Sequence, residues 1–202
     1  IPVIGFCGFA GLRGFKQKIK VFVKKIAIKI GGFITQNKTL LAHKNGIYFR
    51  IKVIRSLRKC EGIKINFVIR KFYSSHISTI KLPKEEIRRQ YIENLQDSNF
   101  ALCVRGEANA SYRFYEALSL GRVPVVITTN SIWPLENEID YSKFSLMIDF
   151  NNLDEACTRI VDFYENMSNE EFIQMQKNAR EVFETHLSVK GFLQNTLPKL
   201  IK

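Results

Sequence analysis

The sequence has no uninterrupted apolar run near the ~20 residues that a membrane-spanning helix needs, so such a helix is not expected. Histidine is scarce, with three in 202 residues, and there are four cysteines. Cys7, Cys60, Cys103 and Cys157 are too far apart for a C-x-x-C or Cys/His zinc spacing, so no metal site is expected. Cys7 and Cys103 lie in apolar runs and read as buried thiols. A chain of this length can bury a core without a disulfide or metal staple. Repeats and low-complexity segments are absent, and 46% hydrophobic with 25% charged residues argues against wholesale disorder. N-x-S/T triplets begin at Asn37, Asn109 and Asn166, but such triplets arise readily by chance.

Acidic residues are almost missing from the first third. Residues 1–70 hold 16 Lys and Arg against one acid, Glu61, and carry +15; residues 71–202 carry −3. A basic segment beside a near-neutral one suits an anionic partner: nucleic acid, acidic lipid, or a phosphorylated or acidic sugar. The alternative is a solvated basic face.

What is present is an alternation of apolar runs and helical patterns. Strands are expected over 2–7, 63–69, 100–104, 123–128 and 144–148. Helices are expected over 48–59, 83–96, 111–120, 152–165, 169–184 and 188–198, and residues 33–46 read as loop. Between 12 and 30, Leu12, Phe15, Ile19, Phe22, Val23, Ile26 and Ile30 recur at helical spacing, with Gly31-Gly32 as a stop. Ile19, Val21 and Val23 also alternate as a strand would. Strands apolar throughout, separated by helices, predict an α/β, Rossmann-like doubly wound parallel sheet with helices on both faces. Its ligand should sit at the carboxyl ends of the strands, between the first strand and the one at 100–104.

Gly5, Gly8, Gly11 and Gly14 open the chain at a spacing unlike G-x-G-x-x-G, and no acid follows about twenty residues on. They read as a tight turn or as ligand contacts from Gly8 to Arg13. The stretch from 98 to 140 is more informative. A buried strand delivers Arg105 to the crevice, and Gly106 lets backbone come close. Ser111 is placed to cap a helix whose free N–H groups face the same crevice. Arginine beside a helix N-terminus suits a diphosphate, because guanidinium grips two oxygens at once. Arg113 in the first turn opposes the helix dipole and so wants an anionic partner. Glu116, three residues on, could accept both hydroxyls of a ribose, or simply pair with Arg113 on the surface.

SNFALCVRGEANASYRFYEALSLGRVPVVI, followed by Trp133-Pro134-Leu135 and Ile139-Asp140-Tyr141, closely resembles the exostosin-like glycosyltransferases. Ile4–Gly8 and Asn66–Arg70 also resemble that family, so the likeness spreads over about residues 1–150. The resemblance implies the C-terminal, donor-binding half of a GT-B glycosyltransferase. It implies inverting, metal-independent transfer from a nucleotide-sugar, a UDP-sugar, to a glycan or polysaccharide acceptor, with no separate cofactor. It implies diphosphate contacts at Arg105, Ser111 and Arg113 and a ribose contact at Glu116; Gly8, Arg13, Gly106 and Asn130 are secondary donor-binding candidates from the reading of the residues themselves. Residues 1–184 would form the donor domain and 185–202 a C-terminal helical tail.

Two positions depart from the family. Thr128-Thr129-Asn130 stands where an acid is often found, and Trp133-Pro134-Leu135 where Leu-Pro-Phe is common. Trp133 could stack on a sugar or base, but reads better as a buried aromatic. No catalytic base is assigned: His43, His76 and His186 sit in no motif, and the base of such enzymes usually comes from an N-terminal, acceptor-binding half, expected upstream of Ile1. The expected partners are a nucleotide-sugar donor and an acidic or lipid-linked glycan acceptor. The expected location is the cytoplasm or a membrane surface. A non-catalytic sugar-nucleotide-binding scaffold is an alternative. A nucleic-acid-binding module is disfavoured, because the aromatics of the basic segment fall at core spacing and no recognition motif appears.

Overall fold

The computed structural model describes residues 1–11, 15–36, 46–70, 82–106, 111–129 and 131–201. Five parallel strands form one sheet: β1 (Val3–Phe9), β2 (Lys64–Arg70), β3 (Phe100–Val104), β4 (Val123–Thr128) and β5 (Leu146–Asp149), in the order β2-β1-β3-β4-β5. Each lies within two residues of its expected bounds. The order reverses between β1 and β3, the switch point where the crevice was expected.

Among the described residues, six regular helices connect and follow the strands. They are α1 (Phe15–Ile34), α2 (Gly46–Leu57), α3 (Lys84–Gln96), α4 (Tyr112–Ser119), α5 (Ala156–Glu165) and α6 (Asn169–Val182). Past α6 the chain continues in short π- and α-helical turns to Leu200. α5 begins four residues later than the pattern predicts, because Asp149 accepts from the Asn151 N–H at 2.7 Å and holds Phe150–Asn152 in a 3₁₀ turn first.

Strand alternation divides the core in two. Phe100, Leu102, Val104, Val123, Val125 and Ile127 pack on one face against Phe49, Val53 and Leu57 of α2 and Ile160 of α5. On the other face Cys103 and Val126 meet Phe114 and Leu118 of α4 and Phe144, and Ala101 meets Leu95 of α3 and Ala117. Apolar residues on both sides of each strand are why the sequence shows continuous runs. Cys7 and Cys103 are buried free thiols, as expected.

Gly5 allows α3 to approach β1. A Cβ there would lie 2.5 Å from Ser98 Oγ and 2.6 Å from the Asn94 carbonyl oxygen. Gly121 ends α4 with φ 59°. Its N–H bonds the Leu118 carbonyl at 2.9 Å, and the Arg122 N–H bonds that of Ala117 at 2.9 Å.

Three features differ from the sequence expectation. α1 runs through Gly31-Gly32 to Ile34; Thr35 still bonds the Gly31 carbonyl, and the helix yields only at Gln36, whose φ is 50°. A helical pattern therefore prevails over the strand alternation there. A disulfide joins Cys60, just past α2, to Cys157 in α5, 97 residues away in sequence. Ser111 takes the extended N-cap conformation, yet its hydroxyl makes no bond to the helix.

Candidate functional site

The crevice begins where two neighbouring strands part. β1 and β3 pair only at Ile4–Phe100 and Gly5–Ala101, although β1 runs on to Phe9 and β3 to Val104. Beyond that pairing both carboxyl ends are open to side chains from the following segments.

Arg113, in the first turn of α4, reaches back to β1. One guanidinium nitrogen donates to the Cys7 carbonyl. Its central carbon lies 4.6 Å from the Phe6 ring centroid and 5.0 Å from that of Tyr91. Nη1 is buried without a hydrogen-bond partner among the described residues. An unsatisfied guanidinium N–H is costly, and an anionic oxygen would relieve it. Gly8 lines the same spot, since a Cβ there would come within 3.2 Å of Arg113 Nη2.

Glu116 does not pair with Arg113. It is exposed one turn further along α4 and accepts a hydrogen bond from the Tyr91 hydroxyl of α3. Burial raises the Tyr91 phenol well above its ordinary value, the Arg113 cation pulls it back, and the bond to Glu116 raises it again. Tyr91 is therefore a neutral donor that orients the carboxylate while its ring carries Arg113.

Arg105 sits at the exit of β3 but turns to other neighbours. Nη1 lies 3.4 Å from Thr129 Oγ1 at the exit of β4, and its guanidinium lies 5.3 Å from the Phe49 ring centroid. Gly106 follows and is buried. The two arginines thus flank the crevice, Arg105 just after β3 and Arg113 in the first turn of α4. Of the residues singled out in the sequence, Arg105, Gly106, Ser111, Arg113, Glu116 and Gly8 lie at this carboxyl edge; Arg13 and Asn130 lie outside the described residues, as do His43 and His76. Trp133 is half-buried and packs against the core, 5.0 Å from the Phe114 ring and 5.3 Å from that of Tyr141, rather than being fully buried as expected.

Sequence reasoning missed Tyr91, Thr129 and Arg50. Arg50 of α2 donates from Nη1 to the carbonyl of Phe9, the last residue of β1, at 3.3 Å. These contacts join residues 24 to 41 positions apart. Only the exit position of Thr129, right after an apolar strand, gave a readable signal.

The arrangement is a cationic rim with one oriented carboxylate over a sheet switch point. It can bind a polyanion and a vicinal diol side by side. Among the described residues no cluster of His, Cys, Asp and Glu could hold a metal ion, and no helix is long and apolar enough to cross a membrane.

Comparison with known proteins gives the family. The family model of the Exostosin GT47 domain matches residues 47–162. The Exostosin-1 homolog of Caenorhabditis elegans is 30% identical over 100 residues, covering 50% of this chain and 25% of that protein. Exostosin-1 of Drosophila melanogaster is 26% identical over 103 residues, covering 51% of this chain and 13% of its own length. A probable glycosyltransferase of Arabidopsis thaliana is 28% identical over 92 residues, covering 46% and 19%. The match thus spans a quarter or less of each of these relatives. The family-model match takes in β2 to β5 and both arginine-bearing segments, and the chain belongs to the exostosin GT47 family.

Proposed function

We propose that this chain is the donor-binding half of a GT-B glycosyltransferase, transferring a sugar from a UDP-sugar to a glycan acceptor with inversion and without a metal ion. The observation that carries the reading is Arg113 at the β1–β3 switch point, with Nη1 buried and unpaired among the described residues, and with Tyr91 linking it to the Glu116 carboxylate. In this reading the diphosphate meets Arg113, Arg105 and the N–H groups of α4, and Glu116 accepts the ribose hydroxyls. The Ser111 hydroxyl, not engaged in capping, is a further phosphate donor. As the anomeric carbon leaves its phosphate oxygen, negative charge grows on the nucleoside diphosphate. The fixed guanidiniums and helix dipole stabilise that charge more than they stabilise the intact donor.

The general base and the acceptor site belong to an N-terminal half outside these residues. An acidic or lipid-linked acceptor suits the basic segment. Residues 1–184 would be the donor domain and 185–202 a helical tail. The Cys60–Cys157 bond favours an oxidising compartment over the cytoplasm.

Calorimetry with UDP, with and without EDTA, tests the proposal. Binding that survives EDTA is expected, and strict dependence on a divalent ion would remove the metal-free mechanism. Glu116→Gln keeps the side chain's shape but removes its charge, and should weaken UDP and uridine alike, about ten- to a hundredfold. Arg105→Ala should weaken UDP far more than uridine. A Glu116→Gln protein that binds UDP like the parent would leave Glu116 as the surface partner of Tyr91 only.

A further inference from the structure

We infer that α1 is an interfacial helix that lies on an anionic lipid surface. The inference concerns a different part of the molecule from the donor crevice and does not rest on its function. α1 is a 20-residue helix with the sequence FKQKIKVFVKKIAIKIGGFI. At about 100° per residue, positions 15, 19, 22, 23, 26, 30, 33 and 34 fall in one stripe roughly 120° wide. In a doubly wound fold such a stripe normally faces the sheet. Here it faces out: Phe22 is 62% exposed, Ile30 54% and Phe33 78%, while Gly32 is buried.

The charges say what covers the stripe. α1 carries six lysines and no acid, and α2 adds Arg50, Lys52 and Arg55, again with no acid. On the helical wheel the lysine positions flank the stripe: 29 and 18 at one border with 25 further round, 16 and 20 at the other with 24 further round. This is the pattern of a helix lying in the plane of a bilayer, apolar stripe in the acyl region and lysines at the headgroups. Six lysines also keep it from crossing. A second copy would bring two such lysine borders together, which like-charge repulsion opposes. Nucleic acid would satisfy the lysines and leave the stripe in water.

The test is co-sedimentation with phosphatidylcholine vesicles, pure or containing about a third phosphatidylglycerol. The protein should pellet with the anionic vesicles, much less with neutral ones, and less as salt rises. Lys24→Glu/Lys29→Glu and Phe22→Ser/Ile26→Ser should each weaken pelleting at least about tenfold, because one loses headgroup attraction and the other buried apolar area. Both variants should keep the parent's melting temperature and UDP affinity. Equal pelleting with both vesicle types, or none, overturns the inference. So does a Phe22→Ser/Ile26→Ser variant that melts well below the parent, since the stripe is then packed within the protein. A dimer in light scattering that this variant converts to monomer assigns the stripe to a second copy instead.

Discussion

α1 and α4 carry the same kind of pattern and end in opposite situations. Both show apolar residues at helical spacing. α4 buries Phe114, Ala117 and Leu118 to 1% exposure or less. α1 keeps Phe22, Ile30 and Phe33 largely in solvent. The difference lies in what surrounds each helix. α4 sits between two adjacent strands, on a tight turn ended by Gly121, and has nowhere to go but onto the sheet. On the opposite face α2 and α5 already cover the sheet, and α1 is left outside. Amphipathicity says that a helix will bury a face; it does not say against what.

The largest effect should come from exchanging the same residue type in the two helices. Phe114→Ala should cost about 3–5 kcal/mol in urea unfolding, through lost burial and the cavity left behind. Phe22→Ala should change stability by no more than about 0.5 kcal/mol. Comparable losses in both would place the α1 stripe in a core.

A second contrast concerns tethering. The Cys60–Cys157 disulfide ties the end of α2 to α5, and a disulfide is typically worth about 2–4 kcal/mol. Cys60→Ser/Cys157→Ser, or the parent in excess reductant, should unfold at a correspondingly lower denaturant midpoint. A parent midpoint indifferent to reductant would show that the bond does not form in solution.

Gly5 sharpens the contrast between tight and loose helix packing. Gly5→Ala pushes a methyl into Ser98 and the Asn94 carbonyl, so α3 must move, at a cost of about 1–3 kcal/mol. Gly11→Ala, with nothing among the described residues within 4 Å of the added carbon, should cost far less.

The smallest effect is a pH slope. Burial pushes the Cys103 thiol up to about 12 from an ordinary value near 9. The folded state therefore favours the neutral thiol. That stability is fully present below pH 9 and is lost as pH rises from there toward 12, at no more than about 1.4 kcal/mol per unit. Between pH 9 and 10 the parent should lose slightly more stability than Cys103→Ala. Identical slopes would mean that the thiol does not feel its burial.

Much of the crevice was readable because its signals are local. Arg105 follows a continuous apolar strand, Ser111 and Arg113 open the next helix, and Gly121 closes it. The partnerships were not readable. Nothing near Glu116 in sequence marks Tyr91 as the hydroxyl that holds it, and the alternative of a surface pair with Arg113 fell only when the fold turned the guanidinium toward Cys7. The Ser111 cap position was correct and its expected hydrogen bond absent.

By itself the sequence determined a five-stranded parallel α/β sheet, its switch point and the arginine-rich segments around it. Those follow from short-range causes: strand runs apolar on both faces, helix caps and stops, and charge at fixed offsets within one turn. Tertiary structure alone decided that α1 turns its apolar stripe outward, that Cys60 meets Cys157, and that Arg113 and Glu116 both contact Tyr91 instead of pairing with each other. Each of these is a choice among neighbours that become available only once the chain has closed, and burial and charge pairing then select between them.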